Sequence, residues 1–349
     1  MSYVPANPGS YDSHIGPYEY FWVDHQPILL SCGYKLRPRY EPRWVPSWKR
    51  ANHKDILPLM CEDGRGMLVN NVLDAIRLKD GVKVVLKRIP SDGDELRIAL
   101  YLSSVKMRSN SRNRTVPILD VIALPDDKYV LLVMPFLRVF NTPPFHCRWE
   151  VVEALRQFLQ GLEFMHEHNI SHGDACLLNL MMDESRVVPK GSHFNRRHSH
   201  DGVKYNLTWR HRCAVTPVHY FYIDFGLSGC YPHGQESATA LGTIGQIKDI
   251  PEFSTGSPYN PFKLDICQLG RTILEVIEQK YPDLQVFIPF AEHMARQDPK
   301  DRPSATEALA EFEAVVSTLN RRTFRARIWR REDTFSERCS RFLRRVPLL

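Results

Sequence analysis

The apolar residues of this chain change their spacing once, near the middle, and that change limits the folds open to it. Between residues 67 and 136 they come in short runs separated by turn residues. MLVNNVLDAIRL and VKVVLKRI flank Asp80-Gly81, and two such runs around Asp-Gly read as a β-hairpin. ILDVIAL and KYVLLVMPF follow as two more strands, parted by Pro125-Asp126-Asp127. Between these pairs, SDGDELRIALYLSS reads as a helix with Asp92 or Asp94 as its cap and Leu96, Ala99 and Leu100 on one face. Later the pattern is different. Val151, Val152, Leu155, Phe158, Leu159, Leu162 and Met165 step by three and four, which is helical spacing. It returns over Asp265–Tyr281, Val286–Arg296 and Ser304–Leu319. Strands first and helices afterwards predict an α+β fold of two lobes, a small β-sheet lobe with one helix and a larger, mainly α-helical lobe.

A chain of 349 residues is long enough for such a body. The expected divisions are an arm at 1–52, a strand-rich lobe at 53–136, a helical lobe at 137–319 and a tail at 320–349. The arm is rich in Pro, Tyr and Trp. Proline opposes helix and the aromatics need burial, so the arm is expected to run extended and packed on the body. Residues 183–219 form a basic insert that carries His193, His198, His200 and His211. No metal-type spacing links those histidines, so an exposed loop is expected. The tail holds ten Arg against Glu332, Asp333 and Glu337, a local charge of +7 that leaves −1 for the rest of a chain of net +6. Its interleaved Phe324, Trp329, Phe335 and Phe342 permit contact with nucleic acid or an acidic surface. A tail lying on the body or on a partner protein is the plainer expectation.

The chain has no run of 18 apolar residues, so no membrane span is expected, and its start lacks the basic and apolar regions of a secretory leader. The eight cysteines form no CxxC pair, which points to free thiols rather than zinc or a disulfide framework. An intracellular place, cytoplasmic or nuclear, follows as an expectation. The oligomeric state stays open.

Five polar residues punctuate this pattern. Lys87 lies in VVLKR on a predicted strand, and Glu95 on the helix after it. Asp174 and Asn179 lie in ISHGDACLLN, straight after the long helix. Asp224 lies in YIDFG, after the apolar run HYFYI. Phosphoryl transfer from a nucleotide needs these residue types. One carboxylate faces the acceptor hydroxyl, a carboxylate and an amide hold Mg²⁺, and a Lys steadied by a Glu holds the phosphates. At these residues the chain resembles the eukaryotic protein kinases, over about residues 60–319. DIPEF, LDICQLG and HMARQDPKDRPSATEAL fit later landmarks of that family, and the resemblance implies that Arg302 pairs with Glu252. The arm LLSCGYKLRPRYEPRWVPSW is similar to one in kinase-like proteins of mushroom-forming fungi.

The resemblance implies transfer of the ATP γ-phosphoryl group to Ser or Thr of a protein substrate. Asp174 would accept the proton, Lys87 and Glu95 would hold ATP, and Asp224 with Asn179 would hold Mg²⁺. Gly64, Gly66, Val72, Val85, Met134, Phe136 and Leu137 would line the ATP site. His172 is expected to be a structural core histidine. The sequence departs from the family at three places. Counting back from Ala75, the family's three Gly positions fall at Arg65, Met67 and Asn70, one step from Gly64 and Gly66. Cys176 stands where Ser/Thr kinases have a Lys, and its absence predicts transfer slower by roughly 10²–10³-fold. Gly173 replaces the Arg that meets an activation-loop phosphate, although Ser237, Thr239 and Thr243 remain as modifiable hydroxyls. A pseudokinase scaffold, with the same fold and little turnover, is therefore a second reading. The HGD motif alone also fits small-molecule kinases of the aminoglycoside and choline type.

Overall fold

The computed structural model describes residues 14–49, 56–67, 69–125, 128–242, 244–334, 336 and 338. Packing divides the chain into two compact units. The first comprises residues 1–92, 118–136 and 188–209, and the second 93–117, 137–187 and 210–349. Among the described residues no helix is long and apolar enough to cross a membrane. The seven described cysteines are free.

The first unit is built on a five-stranded antiparallel sheet. Its strands are β1 (Tyr34–Lys35), β2 (Val72–Arg77), β3 (Val82–Pro90), β4 (Asp120–Ala123) and β5 (Tyr129–Pro135), in the order β1-β2-β3-β5-β4. The Asp80-Gly81 turn joins β2 to β3 as expected, with Val72 opposite Lys87 and Asp74 opposite Val85. Asp80 secures the turn by accepting hydrogen bonds from Arg77 Nε (3.1 Å) and Val82 N–H (3.2 Å). Strand β3 lies centrally, so Val84 and Leu86 are buried with Leu131 and Val133 of β5.

The arm departs from its expectation, because it is not extended throughout. Helix α1 (Tyr20–Ser31) forms with Pro27 inside it, and β1 adds a strand to the sheet edge. Phe21, Trp22, Leu29 and Tyr40 are buried in one cluster with Leu73, Leu86 and Leu131. An interior Pro costs about 3 kcal/mol. Burying a large apolar side chain returns about 1.5–3 kcal/mol, and the helix buries three, Phe21, Trp22 and Leu29, so packing outweighs the local penalty. Buried Glu19 accepts from Arg39 Nε and Nη2, both at 2.7 Å. Arg37 Nε donates to Asp74 (3.0 Å) and its Nη1 to Glu62 (3.1 Å).

The insert also departs from its expectation. Residues 188–209 form no helix or strand and belong to the first unit; His198, Asp201, Lys204, Tyr205, Asn206 and Thr208 are exposed as expected, but the rest is not uniformly so. Val188, Ser192, His193, Phe194 and Ser199 are buried. Lys83 Nζ donates to Ser192 O (2.8 Å), and His193 Nε2 meets Glu62 Oε1 at 3.0 Å. His200 bonds instead to Gly191 O and Thr208, so these histidines go to separate partners.

The second unit carries α2 (Asp94–Ser103), α3 (Val105–Arg108), α4 (Arg148–Glu167), α5 (Pro251–Thr255), α6 (Pro261–Glu275), α7 (Ile288–Met294), α8 (Ala305–Ser317) and α9 (Arg321–Phe324). Short strands thread among them: β6 (Arg138–Val139), β7 (Ile170–Ser171), β8 (Leu180–Met182), β9 (Tyr220–Tyr222) and β10 (Gly229–Cys230). Helix α4 is the buried centre, and Val152, Ala154, Phe158 and Leu162 have no exposed surface. Helix α2 is capped by Gly93 with no side-chain bond, and it buries Ile98, Ala99 and Leu102 while Leu100 is exposed. Leu96/Leu100 and Ile98/Leu102 are both i,i+4 apolar pairs, so spacing alone did not choose the face. Helix α6 starts earlier than its apolar spacing predicts, because Asn260 Oδ1 accepts from Phe262 N–H (2.9 Å) and Lys263 N–H (3.2 Å). Helix α8 begins at a Ser304/Glu307 capping box. The described start of the basic tail lies on this unit: Ile328 is buried, and Arg148 Nη1 donates to Thr323 O (3.0 Å). Phe335, Phe342 and Thr243 lie outside the residues whose side chains are described.

Candidate functional site

In the second unit, the loop after α4 is shaped by one buried carboxylate. Asp265 of α6 accepts from His172 N–H (2.7 Å), Gly173 N–H (2.7 Å) and His166 Nε2 (3.0 Å). One helical turn on, Gln268 accepts from Ala175 N–H (2.9 Å) and donates to Gly173 O (3.0 Å). Two residues at i and i+3 of one helix thus fix the backbone at three loop positions, 172, 173 and 175. At Gly173 φ is +77°, and an added Cβ would lie 2.2 Å from Leu227 O. A side chain there would clash with backbone, so the missing Arg has a steric reason. His172 accepts from Asp174 N–H at Nδ1 (3.2 Å) and donates from Nε2 to Ile223 O (3.0 Å). Complete burial pushes its pKa down, against the pull of Asp265 and Asp174, so the ring is a neutral strut.

This cradle presents Asp174. Asn179 Nδ2 donates to Asp174 O and to Asp174 Oδ2, each at 2.9 Å. The carboxylate has a second partner that the sequence did not reveal. Gln246 donates its N–H to Oδ1 and its Nε2 to Oδ2, both at 2.9 Å. Gln246 Oε1 in turn accepts from Leu178 N–H (2.9 Å). Both Asp174 oxygens are therefore engaged by residue 246, seventy-two positions away. No spacing rule points to Gln246. Cys176 is buried beside this carboxylate, and burial followed by the Asp174 charge pushes its thiol up. It stays neutral, so it supplies no cation in place of the family's Lys.

Asp224 follows β9 with a φ of 66°. A Cβ on Gly226 would lie 3.2 Å from Asp224 Oδ1 and 3.4 Å from Glu95 Oε2, so the two carboxylates flank that glycine. Asp94, the preceding carboxylate, instead pairs on the surface with Arg97 (2.9 Å). Glu252 and Arg302 form a buried bidentate pair, the one that the resemblance implied, with Nη2 to Oε2 at 3.0 Å. Leu137 is buried in this unit.

The remaining predicted residues belong to the first unit. Lys87 is buried on β3, between Val72 and Leu132. Val85 is opposite Met134, and Phe136 packs on Phe194 of the insert (6.2 Å) under Lys83 (5.1 Å). Gly64 and Gly66 lie outside the strands. A Cβ at Gly64 would meet Pro58 O at 1.9 Å, and one at Gly66 would meet Glu19 Oε1 at 3.3 Å. Asn195 Nδ2 donates to Gly66 O (2.5 Å) and Arg37 Nη1 to Arg65 O (3.2 Å). Both glycines therefore have packing reasons, Gly64 against Pro58 and Gly66 against Glu19 and Arg39 of the arm.

No family model matches the chain. It is 22% identical over 211 residues to the probable casein kinase II subunit alpha homolog of Encephalitozoon cuniculi (strain GB-M1), a match covering 58% of this chain and 54% of that protein. The chain is similar to a kinase subunit. It spans about half the length of that curated relative. Its mixed α+β architecture, with a twisted antiparallel sheet and many helices, is compatible with a kinase-like fold.

Proposed function

We propose that this chain is a protein kinase-like phosphotransferase that moves the γ-phosphoryl group of ATP to a Ser or Thr hydroxyl of a protein. The observation that carries this reading is the Asp174 loop. A carboxylate is presented from a rigid cradle, with an amide from Asn179 fixing one of its oxygens. Asp174 would orient the acceptor hydroxyl and take its proton. Asp224 and Asn179 would hold Mg²⁺. Asn179 spends its Nδ2 on Asp174, which leaves Oδ1 for a cation, and oxygen donors suit Mg²⁺. That ion, when bound, offsets charge on the transferring phosphate. Lys87 would pair with the α/β-phosphates, Met134 and Phe136 would face the adenine, and Glu95 keeps the role that the resemblance gives it.

A scaffold that binds nucleotide with little turnover is the second reading, favoured by two observations. Cys176 brings no positive charge, and Gln246 bonds to both Asp174 oxygens, so with Asn179 on Oδ2 only one acceptor position, on Oδ1, stays open. Gln246 therefore competes with an acceptor hydroxyl for this carboxylate. The two readings part in one experiment, labelled γ-phosphate incorporation on a peptide array beside an ATP–Mg²⁺ thermal-shift assay. The enzyme reading expects incorporation that falls by roughly 10²–10⁴-fold in Asp174→Asn and rises in Gln246→Ala. A thermal shift with ATP but no incorporation by either the native chain or Gln246→Ala would leave only the scaffold.

A further inference from the structure

Away from the Asp174 loop, the second unit gathers two thiols and a carboxylate that the proposed transfer does not use. Cys147 precedes α4, Glu150 lies in its first turn, and Cys213 sits in the short turn Arg212–Ala214. The two Sγ atoms and a Glu150 oxygen all lie within 4.8 Å of one another. Cys147 is 4% exposed and Glu150 is fully buried, while Cys213 reaches the surface.

The carboxylate is held in a fixed pose. Oε1 accepts from Cys213 N–H (2.9 Å) and Oε2 from His146 N–H (2.8 Å). Each carboxylate oxygen has two acceptor positions, so each keeps one for a further partner. Arg212 stands 3.7 Å from Oε2 and is itself fixed by Phe140 O (2.9 Å) and Pro143 O (2.8 Å). Backbone donors that orient a carboxylate next to paired sulfurs are what a metal site needs behind its ligands. The His146 and His211 rings stack on each other at 3.8 Å and are not counted among the ligands.

We propose that Cys147, Glu150 and Cys213 form a binding site for a thiophilic divalent cation of the zinc type. Two thiolates and one carboxylate fit a tetrahedral borderline-soft ion, with a fourth position open to solvent on the Cys213 side. The charges balance. Without metal, two neutral thiols accompany the Glu150–Arg212 pair. With metal, two thiolates, the carboxylate, the dication and Arg212 again sum to zero, and two thiol protons leave for solvent. The site ties the start of α4 to the turn at 212–214, so loading it should stiffen the second unit. The inference is independent of the kinase reading.

Cobalt(II) is the probe. The full-length chain, reduced with a phosphine and free of chelator, is titrated with Co²⁺ while the near-ultraviolet thiolate-to-metal absorption and the visible bands are followed. The expected result is saturation at one ion per chain, visible bands of tetrahedral strength, release of two protons per ion and displacement by Zn²⁺. Cys213→Ser should lose about half of the thiolate band and bind at least about tenfold more weakly. Surface placement makes this variant tolerable to the fold, and Cys147→Ser is the second test. Cys32→Ser should titrate like the native chain. Absence of a saturating band, or a band of the same size in Cys213→Ser and Cys147→Ser as in the native chain, overturns the site.

Discussion

The loop at 172–176 and the segment at 61–67 both carry glycines in motif-like surroundings, yet different forces hold them. The loop is fixed from behind by buried polar groups: Asp265 and Gln268 bond to its backbone on either side of Asp174. The segment is fixed from the side, by neighbouring Pro58 and by the arm. Gly64 closes on Pro58, and Gly66 lies against the Glu19–Arg39 pair. In the loop the glycine serves the polar chemistry next to it. In the segment the glycines make room for packing. Matching letters in a motif therefore say less than the groups that dictate their backbone.

The widest break in that comparison comes from Asp265→Ala. Three buried donors would lose their acceptor at once. At about 1–3 kcal/mol for each unsatisfied group, the expected loss is at least about 3 kcal/mol, read as a lower urea midpoint at unchanged slope. Any transferase activity should vanish with it. An Asp265→Ala chain of native stability would refute the cradle.

The glycines themselves come next. Gly173→Ala puts a methyl group 2.2 Å from Leu227 O at a φ of +77°. Strain of that kind costs about 1–3 kcal/mol. Gly66→Ala meets only carboxylate and guanidinium atoms, at 3.3 Å and beyond, so its cost should stay below about 1 kcal/mol. Thermal melts of the two variants give the ranking. If Gly66→Ala instead leaves the melt unchanged and raises KM for ATP several-fold, the segment holds phosphate after all.

A pH series tests the arm. Burial raises the pKa of Glu19, but the hydrogen bond from Arg39, together with those from Gly16 and Tyr40, outweighs burial and leaves it lowered. A carboxylate with a depressed folded pKa contributes stability that is complete above its unfolded pKa of about 4.3 and is lost as pH falls through the folded value. Emission from Trp22 and Trp44 should therefore hold steady from pH 8 to 5 and change only below about pH 4. Arg39→Ala should move that change to higher pH.

Much of this could be read from the sequence because the determinants were local. The Asp80-Gly81 hairpin and the α4 and α8 spacings each lie within one stretch of chain. What could not be read depended on distant partners. Helix α1 tolerates Pro27 because the sheet buries Trp22 and Leu29. Ser192 and His193 are buried in a stretch that Lys83, Glu62 and Gly66 hold from elsewhere in the chain. Gln246 meets Asp174, and Cys147 meets Cys213, across separations that no spacing rule covers. Of the candidate site, the pairing of Asn179 with Asp174 lies within one short stretch of chain, whereas the contact of Gln246 with Asp174 does not.

The smallest expected effect separates two adjacent carboxylates. Asp94 and Arg97 form an ion pair with side chains 76% and 73% exposed. Solvent screens such pairs, so Asp94→Ala should shift stability by no more than about 0.5 kcal/mol and leave turnover unchanged. Glu95 is one residue on, but its carboxylate turns to Gly226 and so lies alongside Asp224. Glu95→Gln keeps the shape and removes the charge, so stability should again move little while kcat falls by tenfold or more, about 1.4 kcal/mol in the barrier. Equal kinetics for the two variants would mean that the charge beside Asp224 is not used. A loss confined to Asp94→Ala would move the role one residue back along α2.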